Sequence, residues 1–371
     1  MIKVINRFGT EEMYTIADIV ETDKYGAEHP VIYVACTACM SVWTDALSYI
    51  ENHREVAFTR EFDEYVTDAI VLSCQVTDLA IYNDIKVMEE LHNRDIEFRK
   101  KHPIFSPINI YCGGCLAQRF DIPLPDYVRR LDVFRTENIS LSEETFKKID
   151  YRKPFWNKNL KDNADEFEEG NLFRHMYPLK VGAGCHGKCT YCTIRDTRGP
   201  SYHLTPAEQE QEFLDHDDVV IICDSPSVEQ INGWIDIAIK HNKPISFRNV
   251  EPPVANICMN NLFKLAEKGL LKIFHCPIQS IHEEALRKMN RNVKATFEYI
   301  NNAQKLHNMG VFVATNIIID YVENDNDYNT QSVMRDFFDY VSWNPYFDGN
   351  FDMEKAEARF NHYIKENDND N

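Results

Sequence analysis

The chain has 371 residues, 44% of them hydrophobic, enough for two or three domains with their own cores and too much for a disordered tail or a small stapled scaffold. Its 40 Lys and Arg face 59 Asp and Glu, and the formal charge of -19 opposes sequence-independent grip on a phosphate backbone; a nucleic-acid substrate would need a local basic patch. The start, MIKVINRFGTEEMYTIADIV, lacks the apolar core and cleavage site of a signal peptide, and no apolar run reaches the length of a membrane span. A cytoplasmic protein is expected, one whose 11 cysteines bind metal or are simply buried.

Along the chain, PVIYV (30–34), DAIVLS (68–73) and INIYCGG (108–114) are β-branched runs, each closely followed by a cysteine. Three strands ending at one edge would gather Cys39, Cys74 and Cys115. Helical stretches at 45–56 and 81–102 separate the runs, so residues 1–120 read as an α/β domain on a parallel sheet. Residues 121–176 lose periodicity and include the acidic KDNADEFEEGN; they read as a linker.

A second alternation follows. YPLKVGAG, DDVVIICDS, KPISFRNV, KIFHCPIQS, GVFVATNIIID and NPYFDGNF read as strands, with TPAEQEQEFLDH, VEQINGWIDIAIKH, VANICMNNLFKLAEKG and ATFEYINNAQKLHNMG as helices between them. Six such units over residues 177–352 suggest a partial (β/α)6, TIM-like barrel, open on one side. Residues 353–371 read as an acidic tail.

Cys185, Cys189 and Cys192 follow the first barrel strand, at the strand end where such folds place their chemistry. A structural zinc site wants four protein ligands, and the nearest fourth, His186, sits awkwardly beside Cys185. A [4Fe-4S] cube held by three thiolates keeps one iron open for a ligand. Gly184 and Gly187 supply a tight loop whose amides can approach the cluster. The spacing C-x3-C-x2-C resembles the signature of the radical S-adenosylmethionine (SAM) superfamily. That resemblance implies an open iron binding the amino and carboxylate groups of SAM, and one electron splitting the sulfonium to a 5'-deoxyadenosyl radical that abstracts hydrogen from an unactivated C-H bond.

The remaining motifs resemble the methylthiotransferase branch: Cys39 with Asp45 six residues on, Cys74 ending a strand, and Cys115 in GCLAQ. TRGP at 197–200, HCPIQSIHEEALRKMNR and TNIIIDYVEND match further family segments. The resemblance implies a second, sulfur-carrying [4Fe-4S] cluster on Cys39, Cys74 and Cys115, and a reductant such as flavodoxin or ferredoxin. Three departures lie on the site face: DYVENDND replaces a Gly-rich segment, Asn316 stands for an Asp, and Glu251 for a His. The chain also stops soon after the sixth strand, without the substrate-gripping TRAM domain expected of the family.

For SAM, Tyr191 is a candidate to pack near the adenine, Asp224 and Ser225 to meet the ammonium, and Arg198, Arg248 and Gln279 to hold the carboxylate or the substrate. A structural salt bridge or strand-end cap is the alternative for each of the last three. Cys36 and Cys112 form C-x2-C pairs with two proposed ligands; Cys223, Cys258 and Cys276 read as buried small hydrophobes, and His186 and His275 as packing groups. The favoured function is insertion of sulfur, as methylthio or thiol, into a C-H bond of a peptide or protein side chain. Methylthiolation of a tRNA adenosine is the alternative, with RKKH, YRK and FWNKNLK as basic patches, and a non-catalytic metal-binding scaffold is the third.

Overall fold

The computed structural model describes residues 2–5, 11–14, 31–42, 44–45, 57–59, 62, 66–103, 105–131, 172–173, 176–322, 334 and 336–369. The chain forms two compact units, one of Met1–Ala164 with Gly349–Asn371 and one of Asp165–Asp348.

In the first unit, β1 (Ile2–Ile5), β2 (Glu11–Tyr14), β3 (Val31–Cys36), β4 (Ala57–Thr59), β5 (Asp68–Ser73), β6 (Asn109–Gly114) and β7 (Val128–Arg130) form one sheet, ordered β2-β1-β4-β3-β5-β6-β7. The strands from β4 to β7 run parallel; β1 and β2 add an antiparallel edge. Cys36 pairs with Leu72 and Leu72 with Gly113, so the C-terminal ends of β3, β5 and β6 lie level. Ala69 to Ser73 are all buried, the pattern of a central strand covered on both faces.

Helix α1 (Asp78–Lys101) packs on β5 with Ile81, Ile85, Met88 and Leu91 buried at helical spacing. Thr77 caps it by accepting from Ala80 N–H, while Asp78 and the Arg99–Lys101 run sit at the ends that suit their charge. The cap explains why the helix starts three residues before the apolar periodicity does.

Two expectations need correction here. The supposed linker contributes β7, which pairs with β6; residues 132–171 of it, like most of the predicted helix at 45–56, lie outside the described residues. The supposed acidic tail is a helix, Met353–Asn369, docked on α1: Tyr82 donates to Glu357 at 3.1 Å, Arg359 reaches Asp78 at 2.9 Å, and Ala356 is fully buried.

In the second unit come β8 (Tyr177–Lys180), β9 (Gly182–Ala183), α2 (Ile194–Arg198), β10 (Tyr202–His203), α3 (Glu210–Asp215), β11 (Val219–Ile222), α4 (Val228–His241), β12 (Ile245–Phe247), α5 (Pro252–Glu267), β13 (Leu271–His275), α6 (Glu283–Lys288), α7 (Val293–Asn308), β14 (Phe312–Ile319) and β15 (Tyr340–Pro345). The six long strands pair in parallel and in sequence order, β8-β11-β12-β13-β14-β15. Helices connect the successive strands from β8 to β14, as parallel neighbours require, and among the described residues the sheet does not close on itself; this is a partial (β/α)6 barrel. A Ser227–Gln230 capping box starts α4 where the sequence pattern does. The sixth strand falls at 340–345, earlier than the aromatic run NPYFDGNF suggests.

Candidate functional site

Past β8, the strands β9 and β10 pair antiparallel, and the loop between them carries Cys185, Cys189 and Cys192. Gly184 turns the chain with φ +77°; a Cβ there would lie 2.5 Å from the Pro200 carbonyl oxygen. The next N–H, that of Cys185, donates to Gly199 O at 3.1 Å. Gly187 N–H donates to Cys185 Sγ at 3.1 Å, and a Cβ on Gly187 would stand 3.0 Å from that sulfur and 3.9 Å from Cys189 Sγ. The missing side chain leaves a cradle between two sulfurs.

Burial pushes the Cys192 thiol up to about 11, and the adjacent Cys189 and Cys185 sulfurs add to the shift. Three thiols thus face one another around a tight loop with backbone N–H on sulfur, a donor set that fits an open [4Fe-4S] cube. Each thiolate of a cube binds a different iron, so the three need not converge on a point; among the described residues, no three His, Cys, Asp or Glu side chains are grouped to hold a single ion.

The turn after α6 clamps this loop. Thr190 N–H donates to Met289 O at 3.3 Å and Thr190 Oγ1 to Lys288 O at 2.7 Å, while Asn290 Nδ2 donates to Lys188 O at 3.0 Å. Arg291 reaches Cys189 Sγ at 3.7 Å. Tyr191 lies beside the same guanidinium, its hydroxyl pushed well up by burial.

The other candidates follow successive strand ends. Asp224, after β11, accepts Gly184 N–H at 2.8 Å and pairs with Arg198 Nε at 2.7 Å, both side chains nearly buried at 8% and 3% exposure. It ties the entry of the cysteine loop to the end of α2. Lys180 joins this buried group, its amine brought down to about 8 by burial and by Arg198. Ser225 offers its carbonyl to His203 Nε2 at 2.9 Å. Arg248, buried after β12, donates its backbone N–H to Ile221 O. Gln279, at φ +70°, pairs its backbone with Asn316 and Ile318 of β14.

His275 is fully buried and accepts Asn249 N–H on Nδ1 at 3.2 Å, so Nε2 carries the proton and donates to Asn316 Oδ1 at 2.6 Å. His186 is exposed.

In the first unit, Cys39, Cys74 and Cys115 lie just past β3, β5 and β6. Burial raises the Cys74 thiol well above its usual value, and Cys39 and Cys115 raise it further, which places the three sulfurs within electrostatic reach. Gly114, at φ +78°, turns the chain into Cys115; its Cβ would meet Ser73 O at 2.5 Å. Arg119 bridges the loops, donating to Gln75 Oε1 at 3.2 Å and to Gly349 O at 3.0 Å. Beneath them Asp84 of α1 accepts Cys74 N–H at 2.7 Å and the Thr37 hydroxyl.

Cys36 and Cys112 are buried within the sheet, Cys112 Sγ 3.2 Å from Ser73 Oγ with its thiol lifted by burial to about 12. They pack rather than extend the cysteine edge. Cys223, Cys258 and Cys276 are likewise buried. Sequence reasoning passed over Arg291, Lys180, Thr37 and Asp84; only Arg291 had a signal, as the last residue of the HCPIQSIHEEALRKMNR segment.

Residues 179–331 match the radical SAM superfamily. The chain is similar to the ribosomal protein uS12 methylthiotransferase RimO of Alkaliphilus oremlandii, 26% identical over 184 residues that cover 46% of this chain and 36% of the relative. RimO of Carboxydothermus hydrogenoformans is 25% identical over 221 residues, covering 53% and 48%. The chain thus spans less than half the length of these curated relatives. Among solved structures, the radical SAM methyltransferase TsrM of Kitasatospora setae overlaps 85% of this chain and 72% of its own at 11% identity and a TM-score of 0.49. The chain carries a radical SAM domain, and its sequence similarity fits the radical SAM methylthiotransferase family. Such a domain implies SAM and a [4Fe-4S] cluster. No helix among the described residues is long and apolar enough to cross a membrane.

Proposed function

We propose that this protein inserts sulfur, as a methylthio group or a thiol, into an unactivated C-H bond of a peptide or protein side chain. The observation that carries the reading is the second cysteine triad, Cys39, Cys74 and Cys115, at one level edge of a parallel sheet. A radical enzyme without sulfur transfer needs only Cys185, Cys189 and Cys192.

When bound, the two clusters and SAM would supply a carbon-centred radical and a transferable sulfur. The chain's own residues do the positioning. Gly184 and Gly187 let the loop close on its sulfurs, the Lys288–Arg291 turn holds it in place, and Asp224 with Arg198 fixes its entry. Tyr191 in the cysteine loop and Ser225, Arg248 and Gln279 past successive strands are the groups to meet SAM or substrate. In the first unit, Asp84, Thr37 and Arg119 hold the cysteine edge.

A protein or peptide substrate suits the charge of -19, and the similar RimO enzymes are named for a ribosomal protein. A reducing cytoplasm would keep the cysteines available for clusters, and a flavodoxin or ferredoxin would serve as reductant. A tRNA substrate is the second reading, and steep loss of binding with rising salt would favour it.

The test is an anaerobic reaction of the reconstituted protein with SAM and dithionite, analysed by mass spectrometry. Formation of both 5'-deoxyadenosine and S-adenosylhomocysteine is expected of a methylthio transfer. Deoxyadenosine without S-adenosylhomocysteine narrows the product to a thiol or to another radical reaction, and neither product would leave a metal-binding scaffold.

A further inference from the structure

Arg291 is the one cation placed by the structure on a sulfur of the barrel triad among the described residues. Its side chain is 6% exposed, its Nη1 lies 3.7 Å from Cys189 Sγ and 3.5 Å from Glu251 Oε1, and its Nη2 donates to Pro277 O at 2.9 Å. A planar fork held by an anion, a carbonyl and a sulfur cannot swing away from the thiolate. The guanidinium is charged at any ordinary pH, and the Glu251 carboxylate beside it favours that charge.

Glu251 completes the arrangement. It occupies the N-cap position of α5 yet makes no side-chain cap bond, and its carboxylate, 31% exposed, faces Arg291 instead.

We infer that Arg291 and Glu251 form a fixed charge pair that sets the reduction potential of the cluster on Cys185, Cys189 and Cys192, Arg291 raising it and Glu251 holding it down. Net charge and hydrogen bonds to sulfur are the levers that tune such clusters. A cation on a ligand sulfur stabilises the reduced, more negative state. A lone cation would make the cluster a weaker reductant. The carboxylate offsets the charge, while the N–H contact still fixes the Cys189 side chain. The inference rests on the radical SAM reading of this triad.

The experiment uses the full chain with Cys39, Cys74 and Cys115 changed to Ala, reconstituted with iron and sulfide, so that one cluster is observed. Its midpoint potential is measured by redox titration followed by electron paramagnetic resonance. Arg291→Gln should shift the midpoint lower and Glu251→Gln higher, with Arg291→Lys close to the parent and iron content equal in all. Unmoved midpoints in both Gln variants, or shifts of the same sign, would overturn the inference. Should Arg291→Gln lose its iron, Glu251→Gln decides alone: a higher midpoint supports the pair, an unchanged one refutes it. A parent protein that binds no iron on the remaining triad would remove the radical SAM reading and the inference with it.

Discussion

Asp84 Oδ2 accepts the backbone N–H of Cys74 at 2.7 Å, and the same carboxyl takes the hydroxyl of Thr37. One buried side chain in the second turn of α1 therefore fixes two of the three loops that carry cysteines in the first unit. Replacing it with Leu takes the acceptor from the half-buried Cys74 N–H, at about 1–3 kcal/mol, while the Thr37 hydroxyl keeps Leu72 O at 2.9 Å. We expect Asp84→Leu to lose the iron of the first unit while the barrel triad keeps its own, as read by iron analysis beside the Cys185 to Cys192 triple variant.

The glycines that precede Cys185 and Cys115 should give opposite phenotypes. Gly184 and Gly114 both hold φ near +78°, with backbone carbonyl oxygens 2.5 Å from where a Cβ would stand. Strain of about 1–3 kcal/mol, before any clash, follows from forcing Ala into such a conformation. Gly184→Ala should deplete the barrel cluster and spare the other; Gly114→Ala should do the reverse. Equal losses at both sites in either variant would contradict the assignment of these two loops to different clusters.

Lys180 gives a pH signature. Its folded-state pKa is brought from 10.5 down to about 8, first by burial and then by Arg198. Between those values the unfolded chain binds more protons than the folded one, so stability rises with pH there. Below about 8 the cost of the buried charge is fully present, up to about 3 kcal/mol. Lys180→Met should therefore stabilise the second unit at neutral pH, and its advantage over the wild type should shrink as pH rises from 8 to 10.5. Denaturant unfolding at several pH values checks both, and the difference between the two proteins cancels the titrating thiols they share.

The helix Met353–Asn369 belongs to the first unit's core. Ala356 is fully buried, so Ala356→Glu would bury an unpaired carboxylate, and Arg359→Ala would free Asp78 at the start of α1. We expect Ala356→Glu to lower the melting temperature of the first unit by several degrees and Arg359→Ala by much less, since exposed pairs contribute under about 1 kcal/mol. Calorimetry resolves this.

These contrasts mark what the sequence makes legible. Strands such as DAIVLS and VVII announce themselves through β-branched runs, and cysteines just past them mark the sheet edge, because strand ends and ligands are neighbours in sequence. The Arg291–Cys189 contact joins positions 102 apart, and Asp84 sits among ordinary helix residues, so no local pattern exposes either. The C-terminal helix reads as a tail because KENDND is polar throughout; among the described residues, Ala356 and Phe360 give it apolar contacts. Glu251 stands where the family pattern has a His, and its partner Arg291 shows only in the fold.

The most direct test of the central claim is the iron count of the anaerobically reconstituted protein and of its Cys185/Cys189/Cys192 triple Ala variant. Two cubes in one chain predict about eight irons falling to about four in the variant. About four falling to nearly none would mean that Cys39, Cys74 and Cys115 hold no cluster, and would contradict sulfur insertion as the function of this protein.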